Sequence, residues 1–406
     1  MRTLFLGTAL MCLNLPAFAT DWLVDASGTA SNLTTIAQAM AQVSTGDRIL
    51  VLPGSYPAFH FSRSVDVIGL GASPDDVLIQ RVDFHPTIPT LGYDAGIANV
   101  RVCGDSFSIS GNELAAGTFV IDGAHLCGGV FLHGAGQLYV LMQNSQVEAG
   151  PGDGFLGAAF DFGGGSADIV NSSIRAASAS SAGGTTAGIG LRIWSTSTSN
   201  VRISNSLIRG GTGVDVAGFR DGGDAIDRLS GGTTSLRLSG GSQILGGSAA
   251  GAGHGGNAVD IAGTITTGLA TVTGGIGATP GATYASSQPT ALGFDPLLRF
   301  SPTGTAGSLP VFQHPGELIR IDCDPSLTGA LLASSTQIDP PTTPTWSPLT
   351  APQLLGGPSE GFVLPVRSHR VVDPAPRRRV YLQGLFVDPL SGQTHSTNPI
   401  AMTVDP

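Results

Sequence analysis

Between Phe160 and Ile276 a short motif returns at nearly constant spacing. Ile169-Val-Asn-Ser-Ser-Ile174-Arg175 recurs as Ile203-Ser-Asn-Ser-Leu-Ile208-Arg209. Val201-Arg-Ile203-Ser returns one unit later as Leu236-Arg-Leu238-Ser-Gly-Gly, and one unit after that as Ala270-Thr-Val272-Thr-Gly-Gly. A fixed period of this kind marks a solenoid, because each unit can bury its apolar face only against its neighbours. The apolar residues alternate over short stretches, so the unit is a coil of β-strands and the fold class is all-β. Residues one period apart become neighbours at about 4.8 Å, which converts sequence offsets into spatial ladders.

Three ladders carry charge. Asp161, Arg192, Asp227 and Asp260 each stand close to one period from the next, and their apolar neighbours place them on the outward face. Asp168, Arg202 and Arg237 form a second ladder, and Glu148, Arg175 and Arg209 a third. They are expected to be exposed columns that hold the coils in register, with cross-strand pairs worth roughly 0.2–1 kcal/mol each. Asn171 and Asn205 read as an amide ladder at a coil corner. The early coils are tighter, since Asn144-Ser-Gln-Val147 stands closer to Asn171-Ser-Ser-Ile174 than that segment does to Asn205. Gly/Ala/Ser-rich additions at 176–190, 210–224, 246–257 and 277–288 recur at one phase of the repeat and should form a rim on one side.

Residues 1–19 read as a secretory leader, with Arg2, an apolar run at 4–15, and Ala17-Phe18-Ala19 before Thr20. A secreted or cell-surface location follows as an expectation. No later segment is long and apolar enough to span a membrane. Thr35 and Gln38 fit a capping box for a short helix bearing Ile36, Met40 and Val43, which would cover the open end of the solenoid.

The passage 33–71 carries Thr35-Ile36-Ala37-Gln38-Ala39, Gly46-Asp47-Arg48-Ile49, Pro53-Gly54-Ser55-Tyr56 and Ile68-Gly69-Leu70-Gly71. It resembles the N-terminal cap and first coil of right-handed parallel β-helix proteins of the pectin-lyase-like superfamily. The resemblance implies a right-handed parallel β-helix over 20–300. It carries no catalytic residue, and that superfamily mixes lyases, hydrolases, adhesins and binding proteins. After 300 the pattern changes to short strands and turns, which suggests a small β-sandwich over 301–406 with 317–323 and 329–333 as a strand pair.

Composition narrows the function. The net charge is −10, and lysine is absent from the sequence. A chain without basic tracts does not suit nucleic acid, and one without lysine has no lysine base or P-loop lysine. Cys103 and Cys127, about one early coil apart, either pair across adjacent coils or stand as buried thiols, and Cys323 is left over. His60, His85, His125, His133, His314, His369 and His395 show no zinc or copper spacing, and no metal site is expected.

Two functional readings remain. The first is a non-enzymatic β-helix that binds or presents a polysaccharide or cell-envelope component. The second is a polysaccharide lyase or glycoside hydrolase acting on acidic polysaccharide along the coil face. Lyases of the resembling fold imply Ca²⁺ held by acids and an arginine base, parts that Asp161, Arg192 and Asp227 would supply, with Trp194 stacking a sugar. The ladder spacing, however, offers no tight carboxylate cluster for a hard cation. Hydrolases of that fold imply paired acids followed by Gly-His-Gly, which Asp221-Gly-Gly-Asp224-Ala-Ile-Asp227 and Gly253-His254-Gly255 match in part. The acids are not adjacent, however, and the local repeat accounts for the motif.

Overall fold

The computed structural model describes residues 20–291 apart from breaks at 85–92, 105, 115–116, 135–137, 151–156, 181–185, 219 and 230, together with separate strands between 297 and 404. The leader, His85, His314 and Cys323 lie outside the described residues. No helix among the described residues is long and apolar enough to cross a membrane.

The body is a parallel β-helix. One parallel sheet contains 17 strands and a second contains 9. The long strands Ala158–Val170 and Ile189–Ser204 pair in register except for a bulge between Gly163 and Gly165. That bulge turns the chain, so each coil has three faces, illustrated by 158–163, 166–170 and Ser173–Arg175. The inward residues stack into apolar columns on every face. Phe160, Leu191, Ile226 and Val259 fill the first, Ile169, Ile203 and Leu238 the second, and Val147, Ile174, Ile208 and Ile244 the third, all buried.

Corners are held by polar ladders because the turns must satisfy backbone groups that no strand pairs. Asn99, Asn144, Asn171 and Asn205 take φ between 48° and 51°, a left-handed corner that asparagine tolerates better than most residues. Asn171 Nδ2 donates to Asn144 Oδ1 at 2.7 Å, and Asn205 Nδ2 to Asn171 Oδ1 at 3.0 Å. Just inside, the backbone N–H groups of Ser145, Ser172 and Ser206 each donate to the serine hydroxyl of the next coil. Asp122 heads the amide ladder, accepting from Asn144 Nδ2 at 3.0 Å and Gln143 Nε2 at 2.7 Å.

The N-terminal end is capped as the sequence implies. The helix Ile36–Met40 has the Thr35–Gln38 capping box, and Ile36, Ala39 and Met40 are buried. It stops short of Val43, which is nonetheless buried. Cys103 and Cys127 are joined by a disulfide with Cα atoms 4.7 Å apart.

The Gly-rich additions do more than form a rim. Outgoing and returning arms interleave through hydrogen bonds that run Gly211 N–H to Gly188 O, Gly223 to Gly211, Gly247 to Gly223 and Gly256 to Gly247. The arms approach so closely that a Cβ on Gly247 would lie 1.8 Å from the Gly211 carbonyl oxygen, and one on Gly223 1.9 Å from that of Gly188. Only glycine fits there, which accounts for the composition of these segments.

Beyond the β-helix, Leu318–Asp322 pairs antiparallel with Leu297–Phe300 and Ser368–Arg370. Thr328–Ser334 pairs with Arg379–Val387 in a separate sheet. The expected pairing of 317–323 with 329–333 is therefore incorrect: each segment finds a partner more distant in sequence. The last strand, Ile400–Val404, touches Leu138–Gln143, whose outward Tyr139 and Leu141 are buried.

Asp122 gives the fold a pH signature. Burial pushes its carboxyl up to about 7, against the downward pull of Asn144 and Gln143. Between the ordinary carboxylate value near 4 and about 7 the folded chain holds a proton that the unfolded chain releases, so stability falls as pH rises through that window. Melting temperature followed by circular dichroism should drop from pH 5 to pH 8. In Asp122→Asn that drop should be clearly smaller, with Asp224 and Asp227, both pushed the same way, leaving a residual slope.

Candidate functional site

The outward side of the first face is one continuous column. Consecutive rungs are His60, Asp83, Ser110, Phe131, Asp161, Arg192, Asp227 and Asp260. The Asp161–Arg192–Asp227–Asp260 register expected from the sequence is thus the register of the fold. The expected exposure is not. Asp161 is fully buried and the Arg192 side chain is only 6% exposed. In the second ladder, Asp168 is 2% exposed and accepts both Arg202 Nε at 2.6 Å and the Tyr139 hydroxyl at 2.6 Å. On these two ladders the rungs on either side cover the charged groups, so outward projection does not bring solvent. The third ladder behaves as expected, with Glu148 and Arg175 about half-exposed and 3.9 Å apart.

Arg192 lies between two carboxylates, its Nη1 3.9 Å from Asp161 Oδ2 and its Nε 3.9 Å from Asp227 Oδ2. It faces both acids with almost no exposure to solvent. Asp161 Oδ2 has no hydrogen-bond partner among the described residues, while Oδ1 lies 2.8 Å from His133 Nε2. The His133 ring stacks on Phe131 with centroids 4.1 Å apart and stands 5.6 Å from Trp194. Phe131 in turn lies 5.8 Å from Phe107. A Cβ on Gly163 would meet the His133 ring at 2.7 Å, so glycine on that rung makes room for the imidazole between Phe131 and Trp194.

One coil further on, Asp224, Asp227 and Asp260 form a cluster in which one carboxylate oxygen from each lies within 4.8 Å of the others. The expectation that no tight carboxylate cluster exists is overturned. Asp227 and Asp260 are stacked rungs, and Asp224 joins them from the corner before strand Ile226–Leu229. The Asn257 N–H, one coil away, holds Asp224 Oδ1 at 2.5 Å, and the Ser286 hydroxyl bonds Asp260 Oδ1. Burial first, then the Asp227 and Asp260 charges, push Asp224 up to about 6 against the Asn257 hydrogen bonds. Burial also raises Asp227, with the Arg192 guanidinium pulling it back.

His254 stands apart from the cluster. Its N–H donates to Asp221 Oδ1 at 2.7 Å and its carbonyl accepts from Gly222, so Gly253-His254-Gly255 belongs to the stacked arms. Trp194 sits on the rung between Gly163 and Leu229, on the same outward side as Arg192. Sequence reasoning missed His133 and Phe131. The signal was present, since Phe131-Leu-His133 precedes Asp161-Phe-Gly163 by a single coil, but the coil length changes there and hides the repeat.

Comparison with known proteins gives no match: no family model, no curated protein and no solved structure is significantly similar to this chain.

Asp161 is the keystone of the buried charges. Asp161→Ala removes one of the two acids that face Arg192 and the group 2.8 Å from His133 Nε2, and breaking a buried pair costs about 3–5 kcal/mol. Urea unfolding should show a loss in that range, and a smaller one for Asp161→Asn, which keeps a hydrogen-bonding group in place.

Proposed function

We propose that this chain is an exported glycoside hydrolase that cleaves an uncharged polysaccharide along the first face of the β-helix. The observation that carries the reading is the Asp224–Asp227–Asp260 cluster, in which Asp224 is pushed up to about 6 beside two further carboxylates. Converging carboxylates of which one holds its proton towards neutral pH bring a proton donor and further carboxylates together at one point. Such a cluster favours an enzyme over a purely binding or scaffolding role.

Asp224 has no arginine beside it and carries the proton, so it donates to the glycosidic oxygen as that bond breaks. Asp227, raised by burial but pulled back by the Arg192 guanidinium, is the carboxylate placed to attack the anomeric carbon as that bond breaks, and water then releases the sugar from it. The oxygens within 4.8 Å fit double displacement, for which the carboxyl groups stand about 5–5.5 Å apart, better than the roughly 6.5–9.5 Å gap that a single displacement keeps for water. Trp194, beside the His133 and Phe131 rings, offers a partly open aromatic surface for pyranose faces in the same column.

The charge balance argues for an uncharged substrate. Asp161, Asp224, Asp227 and Asp260 share one guanidinium, Arg192, which two of them already engage. An anionic sugar would enter against carboxylates with no unengaged cation on these rungs. A divalent cation is the second reading, and the three converging oxygens favour it. If held there it would supply positive charge for a uronate carboxylate, and cleavage would then be by elimination.

Purified chain should release reducing ends from neutral polysaccharides, retain anomeric configuration, and keep its rate in EDTA. Asp224→Asn should lower kcat at least about 100-fold. The rate should fall as pH rises through about 6, as Asp224 loses its proton. Unsaturated products that form only with Ca²⁺ would replace this reading with the cation-assisted one.

A further inference from the structure

A groove of about 450 Å³ runs along the asparagine corner, lined by residues that include Asn144, Asn171, Asn205, Gln146, Leu207 and Gln243. None of its lining residues is titratable near neutral pH, so it cannot carry the proton transfers assigned to the carboxylate cluster. It is instead a surface of amides and hydroxyls. We infer that this groove is a second, non-catalytic site that binds an extended, uncharged polysaccharide.

The shape and repeat of the lining select that ligand. Gln146, Ser173, Leu207 and Gln243 are successive rungs of the third face, and Asn144, Asn171 and Asn205 are successive corners. At the corner the same amide returns on three successive coils, about 4.8 Å apart along the axis, which suits a polymer of repeating units, while the third face beside it offers Gln, Ser, Leu and Gln in turn. The amide ladder has a direction. Asp122 accepts from Asn144, Asn144 from Asn171 and Asn171 from Asn205, so each amide oxygen faces the following coil. Each amide uses one N–H in that ladder and has a second, which a sugar hydroxyl can accept. Leu207 lies mid-groove, where an apolar sugar face can cover it.

The other occupants fit less well. An extended peptide binds by adding to a strand edge, whereas this groove crosses strands that are already paired on both sides. Nucleic acid needs cations, and the lining holds none.

The test is affinity electrophoresis of the full chain through gels containing hydroxyethylcellulose, galactomannan, polygalacturonate or gelatin. At least one neutral polymer should retard the protein, and retardation should remain in the Asp224→Asn/Trp194→Ala double variant, which weakens first-face binding and serves as the background for the groove variants. Combined Gln146→Ala and Gln243→Ala, with an unchanged circular dichroism spectrum, should weaken binding about tenfold. Leu207→Arg, which fills the groove, should abolish it. Retardation that survives both sets of groove changes, disappears in the Asp224→Asn/Trp194→Ala double variant, or occurs only with polygalacturonate or gelatin would overturn the inference. So would no retardation by any neutral polymer.

Discussion

Each coil of this molecule is hydrogen-bonded in register to the coils on either side, and the rest of the structure depends on that stacking. It forces like positions into columns. Apolar columns make the core, with Phe160, Leu191, Ile226 and Val259 directly above one another. Polar columns at the corners satisfy the turns. Charged columns on the outer surface place acids and arginines so close that neighbours exclude water. Asp161 is buried although it points away from the core.

That exclusion gives the candidate site its character. A carboxylate deprived of water takes up a proton more readily, and three carboxylates together add mutual repulsion. Asp224 feels both effects and lacks the guanidinium that restrains Asp227. A column built for register thus also creates a group that can donate a proton near neutral pH. The His133–Asp161 contact extends the polar column toward the aromatic rings of Phe131 and Trp194.

The period made the fold legible, because Asp161, Arg192, Asp227 and Asp260, spaced one period apart along the chain, are the rungs that pair. The capping box at Thr35 was legible for the same reason: it is local chemistry. Burial was not, since alternation tells which way a side chain points but not what stands next to it. The cluster was missed because Asp224 lies off the ladder and reaches it only through a corner. The interleaved glycine arms read as loops, since their hydrogen bonds join segments that share no alternation. The antiparallel partners after 297 depended on long-range pairing that short strands do not encode.

The most direct measurement is a carbon-13 NMR titration of the aspartate carboxyls in the full chain, with Asp224 assigned by its loss in Asp224→Asn. The account predicts that Asp224 titrates at about 6 and that its midpoint drops when Asp227→Asn removes a neighbouring charge. A midpoint near the ordinary aspartate value, unchanged in Asp227→Asn, would mean that the three carboxylates are solvated and separate, and the acid–base centre would not exist.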